Sequence, residues 1–177
     1  MGTFGFDDEG VPAGEAQIVT DGILTGYLTD RQSAAMLGEQ SNGTARADSW
    51  GDIPLIRMNN VSLKPHEGDR ASIVADTEEG FLLLTNRSWS IDDRRLNFQF
   101  GCEIGYEIKN GRLGRMLRNP TYTGIGPRFW GSMDMLGRDV VAWGTPNCGK
   151  GQPGQIGHTG HPTAAARFTD VRVGVRG

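Results

Sequence analysis

The sequence predicts an α+β fold made mainly of antiparallel β-sheet, hairpin-rich and able to curl toward a barrel, with a few short helices. Three observations lead there. The 27 glycines, about twice the usual share of roughly 7%, are spread along the chain and mark many turns. Asp21-Gly22 and Asn110-Gly111 each lie between β-rich runs, and such pairs suit the positive φ angles of a tight hairpin turn. Strand and short helical patterns alternate without the regular βαβ rhythm of a parallel sheet.

In chain order, Asp7-Asp8-Glu9-Gly10 reads as an Asx-type turn closed by the glycine, since calcium loops need alternating oxygen ligands over a longer span. AQIVTDGILTGYLT, 16–29, reads as a hairpin. Asp30 caps a helix through RQSAAML that stops at Gly38. Residues 39–52 are polar and turn-rich, as expected of a mobile or functional loop. PLIRMNNVSLKP reads as a strand bounded by Pro54 and Pro65, and Asp69 caps a helical turn and a half over ASIVADTE. FLLLTN follows as a buried strand. LNFQFGCEIGYEIKNGRLGRML alternates as antiparallel strands, with Phe98, Phe100 and Cys102 sharing one face. Pro127 opens a helix over PRFWGSMDML, VVAW is a strand, and ARFTDVRVGV closes the chain as another.

A chain of 177 residues fits one domain, 1–177, large enough to bury about two-thirds of its extended surface. Its net charge of −3 argues against an electrostatic grip on nucleic acid, which needs a concentrated basic face. Fifteen arginines against three lysines are scattered; as strand residues Arg112 and Arg118 would share a solvated face with Arg115 opposite. Nothing approaches the ~18 apolar residues that span a bilayer, no signal peptide opens the chain, and two cysteines make no disulfide scaffold. Cytoplasm is the expected location. Met1 leads straight into GTFGFDDEGVPAG, which reads like the interior of a longer protein.

One stretch concentrates chemistry. GTPNCGKGQPGQIGHTGHP, 144–162, holds Cys148, Lys150, His158 and His161 in nineteen residues. A thiolate and two imidazoles are zinc donors, but their spacing matches no strong zinc signature. A phosphate cradle lacks the Gly-x-x-x-x-Gly-Lys-Ser/Thr pattern, and a nucleophilic cysteine would need one of the histidines as base. Taken alone, the stretch reads best as a glycine-rich turn with a buried thiol. Elsewhere, Arg57 and Asn59 put polar side chains into an apolar run, either lining a cleft for an extended peptide or sitting on a solvated face. His66 reads as a surface turn residue.

GTFGFDDEGVPA, IVTDGILTGYLTDRQSAAMLG, SNGTARA, PLIRMNN, FGCEIGYEIKNGRLG and NCGKGQPGQ occur here in that order. Together they resemble the C-terminal half of TldD/PmbA-type proteins, named as modulators of DNA gyrase and understood as zinc metallopeptidases. The resemblance runs over essentially the whole chain. It implies a composite zinc site: an HExxxH helix in an N-terminal half supplies two histidines and the working glutamate, and Cys148 supplies the third protein ligand. The cysteine is the mark of the TldD-like branch.

No HExxxH occurs in this sequence, so the resemblance implies a C-terminal domain that lacks two ligands and the general base. One thiolate does not hold zinc, so this piece alone is expected to bind the metal weakly and to cleave nothing. The resemblance further implies small or unfolded peptides as substrate, an N-terminal TldD-like domain as partner, and a homo- or hetero-dimer with a TldD/PmbA-type subunit. Arg57, Asn59, His158 and His161 are the candidates for substrate contact. The competing reading is a non-catalytic assembly or peptide-docking domain of such a complex.

Overall fold

Asp21 and Gly22 both take positive φ, 51° and 77°, and close the first hairpin, between β1 (Val19–Thr20) and β2 (Ile23–Leu24). This computed structural model describes residues 2–174. The next elements are α1 (Arg31–Leu37), β3 (Ala45–Arg46), β4 (Leu55–Ile56) and α2 (Arg70–Ala75). Then come β5 (Glu79–Ile91), β6 (Asn97–Lys109), β7 (Arg112–Arg118), β8 (Thr121–Ile125), α3 (Gly126–Gly131) and β9 (Met133–Leu136). The chain ends through β10 (Val141–Lys150), β11 (Gln155–Thr163), β12 (Ala166–Phe168) and β13 (Arg172–Gly174). The fold is α+β and mostly antiparallel, as the sequence predicts; the sheets stay open, and among the described residues none closes into a barrel.

The chain forms two compact units, Met1–Lys64 with Val141–Thr163, and Pro65–Val140 with Ala164–Gly177. In the first unit Asp7 is buried, and its Oδ1 accepts the amides of Glu9 and Val11 at 3.0 and 2.8 Å, the Asx turn expected there. The carboxylate of Asp30 takes the Ser33 amide at 2.7 Å while Ser33 answers the Asp30 amide at 3.1 Å, and α1 stops at a left-handed Gly38. The Ser33 hydroxyl also donates to the Asp30 carboxylate at 2.6 Å, and this bond, with the amide's behind it, holds that carboxyl below its ordinary range.

Stretch 39–52 is tied into the unit. Gly43, Thr44 and Ala45 are buried, the Asn42 side chain takes the Thr29 amide at 2.9 Å, and β3 pairs with β4. PLIRMNNVSLKP is strand only at Leu55–Ile56, because Asn59 turns the backbone left-handed at φ 47°. The cysteine-bearing stretch is no loose turn. It continues β10 past VVAW and returns as β11, with cross-strand partners Trp143↔His161, Thr145↔Thr159 and Cys148↔Gly157 and one bulge between Thr145 and Cys148.

The second unit carries a five-stranded sheet in the order β13-β8-β6-β5, with β7 alongside the other half of β6. Its core face stacks Phe98, Phe100, Tyr122, Phe129 and Phe168, with Phe129 and Phe168 centroids 4.0 Å apart. Phe98 and Phe100 meet Tyr122 together, as expected of one strand face. Burial pushes the Tyr122 phenol up to about 12 and raises the neighbouring Cys102 thiol.

Several expectations need correction in this unit. β5 is longer than FLLLTN, and none of its residues is buried: Leu82, Leu83 and Leu84 are half-buried and the strand beyond them is exposed. A bulge in β7 sets Arg112 opposite Lys109 and Arg118 opposite Ile104, so the two arginines lie on opposite faces rather than one. The helix opened by Pro127 stops at Gly131, and MDML is strand β9, paired to β12. ARFTDVRVGV breaks at Asp170, φ 53°, into β12 and β13, and its last valine lies outside the described residues. Cys102 and Cys148 are both free thiols.

Candidate functional site

Immediately after β4, the Arg57 amide donates to the Thr44 carbonyl at 2.9 Å, which aims the Arg57 side chain inward. Only 4% of Arg57 is exposed. Its guanidinium spreads across the β10–β11 hairpin: Nη1 donates to the Gln155 carbonyl at 3.3 Å, and Nη2 donates to the Cys148 carbonyl. The hairpin permits this because Gly157 has no side chain; a Cβ there would stand 2.9 Å from Cζ of Arg57. Directly opposed residues of an antiparallel pair point to one face, so Cys148, opposite Gly157, projects from the face that the guanidinium covers.

Further bonds fix the hairpin to β3 and β4. Gln155 donates through Nε2 to Ile53 at 2.9 Å and accepts the Asp48 amide at 3.1 Å through Oε1. Asp48 Oδ2 accepts the Ile156 amide at 3.0 Å, and Lys150 Nζ donates to the Ile56 carbonyl at 2.6 Å. Asn59, 9% exposed, donates from Nδ2 to the Thr44 carbonyl at 3.3 Å. Arg46 lies over the Phe4 ring and pairs with Asp8 at 3.1 Å. A cavity of about 200 Å³ opens among these groups, lined chiefly by Arg46, Asp48, Arg57, Asn59 and His158.

Three of the sequence candidates, Arg57, Asn59 and His158, thus meet in one cavity. His161 does not line it. Its Nδ1 donates to the Val61 carbonyl at 3.3 Å, which leaves Nε2 to accept the Thr159 hydroxyl at 3.0 Å; both ring nitrogens are engaged. His66 is exposed in the other unit. Sequence reasoning missed Arg46 and Asp48, inside the polar loop, and Gln155, whose only signal was its place in NCGKGQPGQ.

The donor set can be tested against a zinc ion. A catalytic zinc takes three protein ligands and an open position. Cys148 is partly exposed and free, a usable thiol at the surface of the unit rather than walled into its interior. Yet among the described residues no three His, Cys, Asp or Glu side chains converge where a metal could sit. These residues alone do not fit the ion.

The described residues thus hold an arginine-clamped hairpin that presents a partly exposed cysteine beside a polar cavity. The chain belongs to the PmbA/TldA metallopeptidase C-terminal domain family, whose model matches residues 1–174. It is 32% identical over 134 residues to a zinc metalloprotease TldD homologue of Saccharolobus solfataricus, covering 76% of this chain and 30% of that protein. A Synechocystis metalloprotease is 32% identical over 174 residues, covering 98% of this chain and 37% of that one. The chain therefore spans about a third of the length of these relatives. The crystal structure of TldE from Thermococcus kodakarensis superposes with a TM-score of 0.77 over 96% of this chain and 36% of that one; at 17% identity the likeness concerns the fold. No helix among the described residues is long and apolar enough to cross a membrane.

Proposed function

We propose that the whole chain acts as one C-terminal domain of a TldD-like zinc metallopeptidase that hydrolyses small or unfolded peptides in the cytoplasm. Cys148 contributes one corner of the zinc site. An N-terminal domain with the HExxxH helix supplies the other ligands and the general base, and the assembly is a dimer with itself or a PmbA/TldD-type subunit. The chain by itself holds zinc weakly and cleaves nothing.

One observation carries this reading. The thiol of Cys148 stays free and partly exposed while its own carbonyl is tied to a buried arginine, so the strand presenting it is rigid. A metal ligand needs that combination of access and fixed geometry. Zinc content and peptide cleavage, measured on the full-length protein and its Cys148→Ala variant, test it. Both should fall sharply in the variant; wild-type zinc and turnover would sink the assignment.

A polar cavity lined by the buried Arg57 and Asn59 supports a second reading, a non-catalytic assembly or peptide-docking domain. Peptide binding without zinc or cleavage in the full-length protein would select it.

A further inference from the structure

Arg57 is a permanently charged group held almost entirely out of water. Buried cations ordinarily face a carboxylate, because carbonyl dipoles offset only part of the lost hydration. Here the known acceptors are the carbonyls of Cys148 and Gln155. Among the described residues no carboxylate lies within ion-pair distance of Arg57. Arg46, beside it in the cavity lining, already has Asp8 at 3.1 Å. The guanidinium has five N–H donors, and these bonds use two.

The same side chain lines the 200 Å³ cavity, with buried Asn59 at its side and exposed His158 at its rim. Of the two lining arginines Arg46 is answered by Asp8, and Asp48 accepts the Ile156 amide, which leaves Arg57 as the lining cation with no carboxylate bonded to it.

We infer that this cavity is a subsite for a peptide carboxylate, anchored by Arg57. The inference rests on the reading above that the chain handles peptides. The carboxylate accepts the free N–H groups of the guanidinium as a fork, and the Asn59 amide borders it. Because Nη2 also bonds the Cys148 carbonyl, a carboxylate held there sits beside the residue that carries the thiol. Either source of the group fits this chemistry, the α-carboxylate at a peptide's end or an Asp or Glu side chain.

Four short peptides of one sequence separate the sources: free acid or amide at the C-terminus, each with Glu or Gln inside. Their affinities for the full 177-residue chain are measured by calorimetry, with inorganic phosphate as competitor. Removing the recognised carboxylate should weaken binding about tenfold to a hundredfold, the range of a charge-assisted hydrogen bond. Dependence on the terminus alone identifies the chain end, and dependence on Glu alone identifies a side chain; either supports the subsite. Equal affinity of all four peptides, no binding at all, or displacement by millimolar phosphate overturns it.

Arg57→Lys keeps the charge and loses the fork. It should weaken the best peptide about tenfold and leave the doubly neutral one unchanged, and unaltered discrimination would also overturn the inference. Should that variant fold poorly, the wild-type peptide comparison decides. The assay needs neither metal nor cleavage, so its failure leaves the Cys148→Ala test standing, and failure of that test leaves the subsite standing.

Discussion

The guanidinium of Arg57 occupies the space that a side chain on Gly157 would fill: a Cβ built there stands 2.6 Å from Nη2 and 2.9 Å from Nε. The two positions are a hundred residues apart in sequence, yet each explains the other. A buried arginine needs carbonyls to bond and a flat surface to lie on, and the glycine exposes the backbone of the cysteine hairpin for both. Gly157→Ala should therefore cost about 1–3 kcal/mol, the usual range for overpacking. Gly149→Ala, in the same hairpin but with open space around its Cβ, should change stability by less than about 0.5 kcal/mol. Urea melts followed by tryptophan fluorescence compare the two, and equal shifts would refute the clamp.

The two thiols should react at different rates. Cys102 is 6% exposed in the sheet core, and burial raises its pKa, which suppresses the thiolate that attacks a disulfide reagent. Cys148 is partly exposed. Under native conditions one thiol should titrate quickly and the second only on unfolding. Cys148→Ala should remove the quick phase; its persistence in that variant would mean that Cys102 is the accessible one.

What the sequence made legible was local. The Asp-Gly and Asn-Gly turns, and the caps at Asp30 and Asp69, are set by side chains within four residues of the backbone they bond, so a short window contains the whole interaction. Beyond VVAW, the stretch 144–162 reads as a turn because its ten glycine, proline and cysteine positions offer no aliphatic alternation. It is strand because Gln155 and Ile156 are held by Ile53 and Asp48, partners about a hundred residues away. The strand assigned to PLIRMNNVSLKP failed for a related reason: Asn59 turns left-handed while its side chain bonds Thr44, a contact invisible in the run itself. Arg57 and Asn59 stood out as polar groups in an apolar run. Arg46 and Asp48 did not, since a polar loop hides them.

Gly111→Ala and Gly22→Ala compare two hairpin turns of one kind. Both glycines have positive φ, 71° and 77°, so both substitutions carry the left-handed penalty of about 1–2 kcal/mol. Only Gly111 is also docked. Its amide donates to the Thr77 carbonyl at 2.9 Å, and a Cβ there would press on the Ala75 backbone, 3.1 Å from the carbonyl carbon. Around Gly22 nothing lies within 4 Å. Gly111→Ala should lower stability by at least about 1 kcal/mol more than Gly22→Ala, read as a difference in melting midpoint. Identical midpoints would show that the Asn110-Gly111 tip is not seated on α2.

Arg167 ties three elements together, and its contribution should depend on pH in a defined direction. From β12, its Nε and Nη2 bond Asp134 of β9 at 2.9 and 2.8 Å, and its Nη1 bonds Asp76, which caps α2, at 2.9 Å. The hydrogen bond from Arg167 is the main reason that the Asp134 carboxyl titrates below its ordinary value, burial opposing it. A carboxyl with a depressed folded pKa stabilises the protein above its unfolded pKa of about 3.9, and that contribution fades as pH falls through the folded value. Since 39% of the Asp134 side chain is exposed, solvent screening limits the pair, and Arg167→Gln should cost about 1 kcal/mol at neutral pH. Urea melts of wild type and variant at pH 7 and at pH 3 read the effect. The gap between them should narrow at the lower pH, because pH 3 lies below the ordinary value of the unfolded carboxyl, so proton uptake by the unfolded chain removes part of what the depressed Asp134 carboxyl contributes. A gap that stayed constant would assign the loss to the packing of the arginine's aliphatic stem instead.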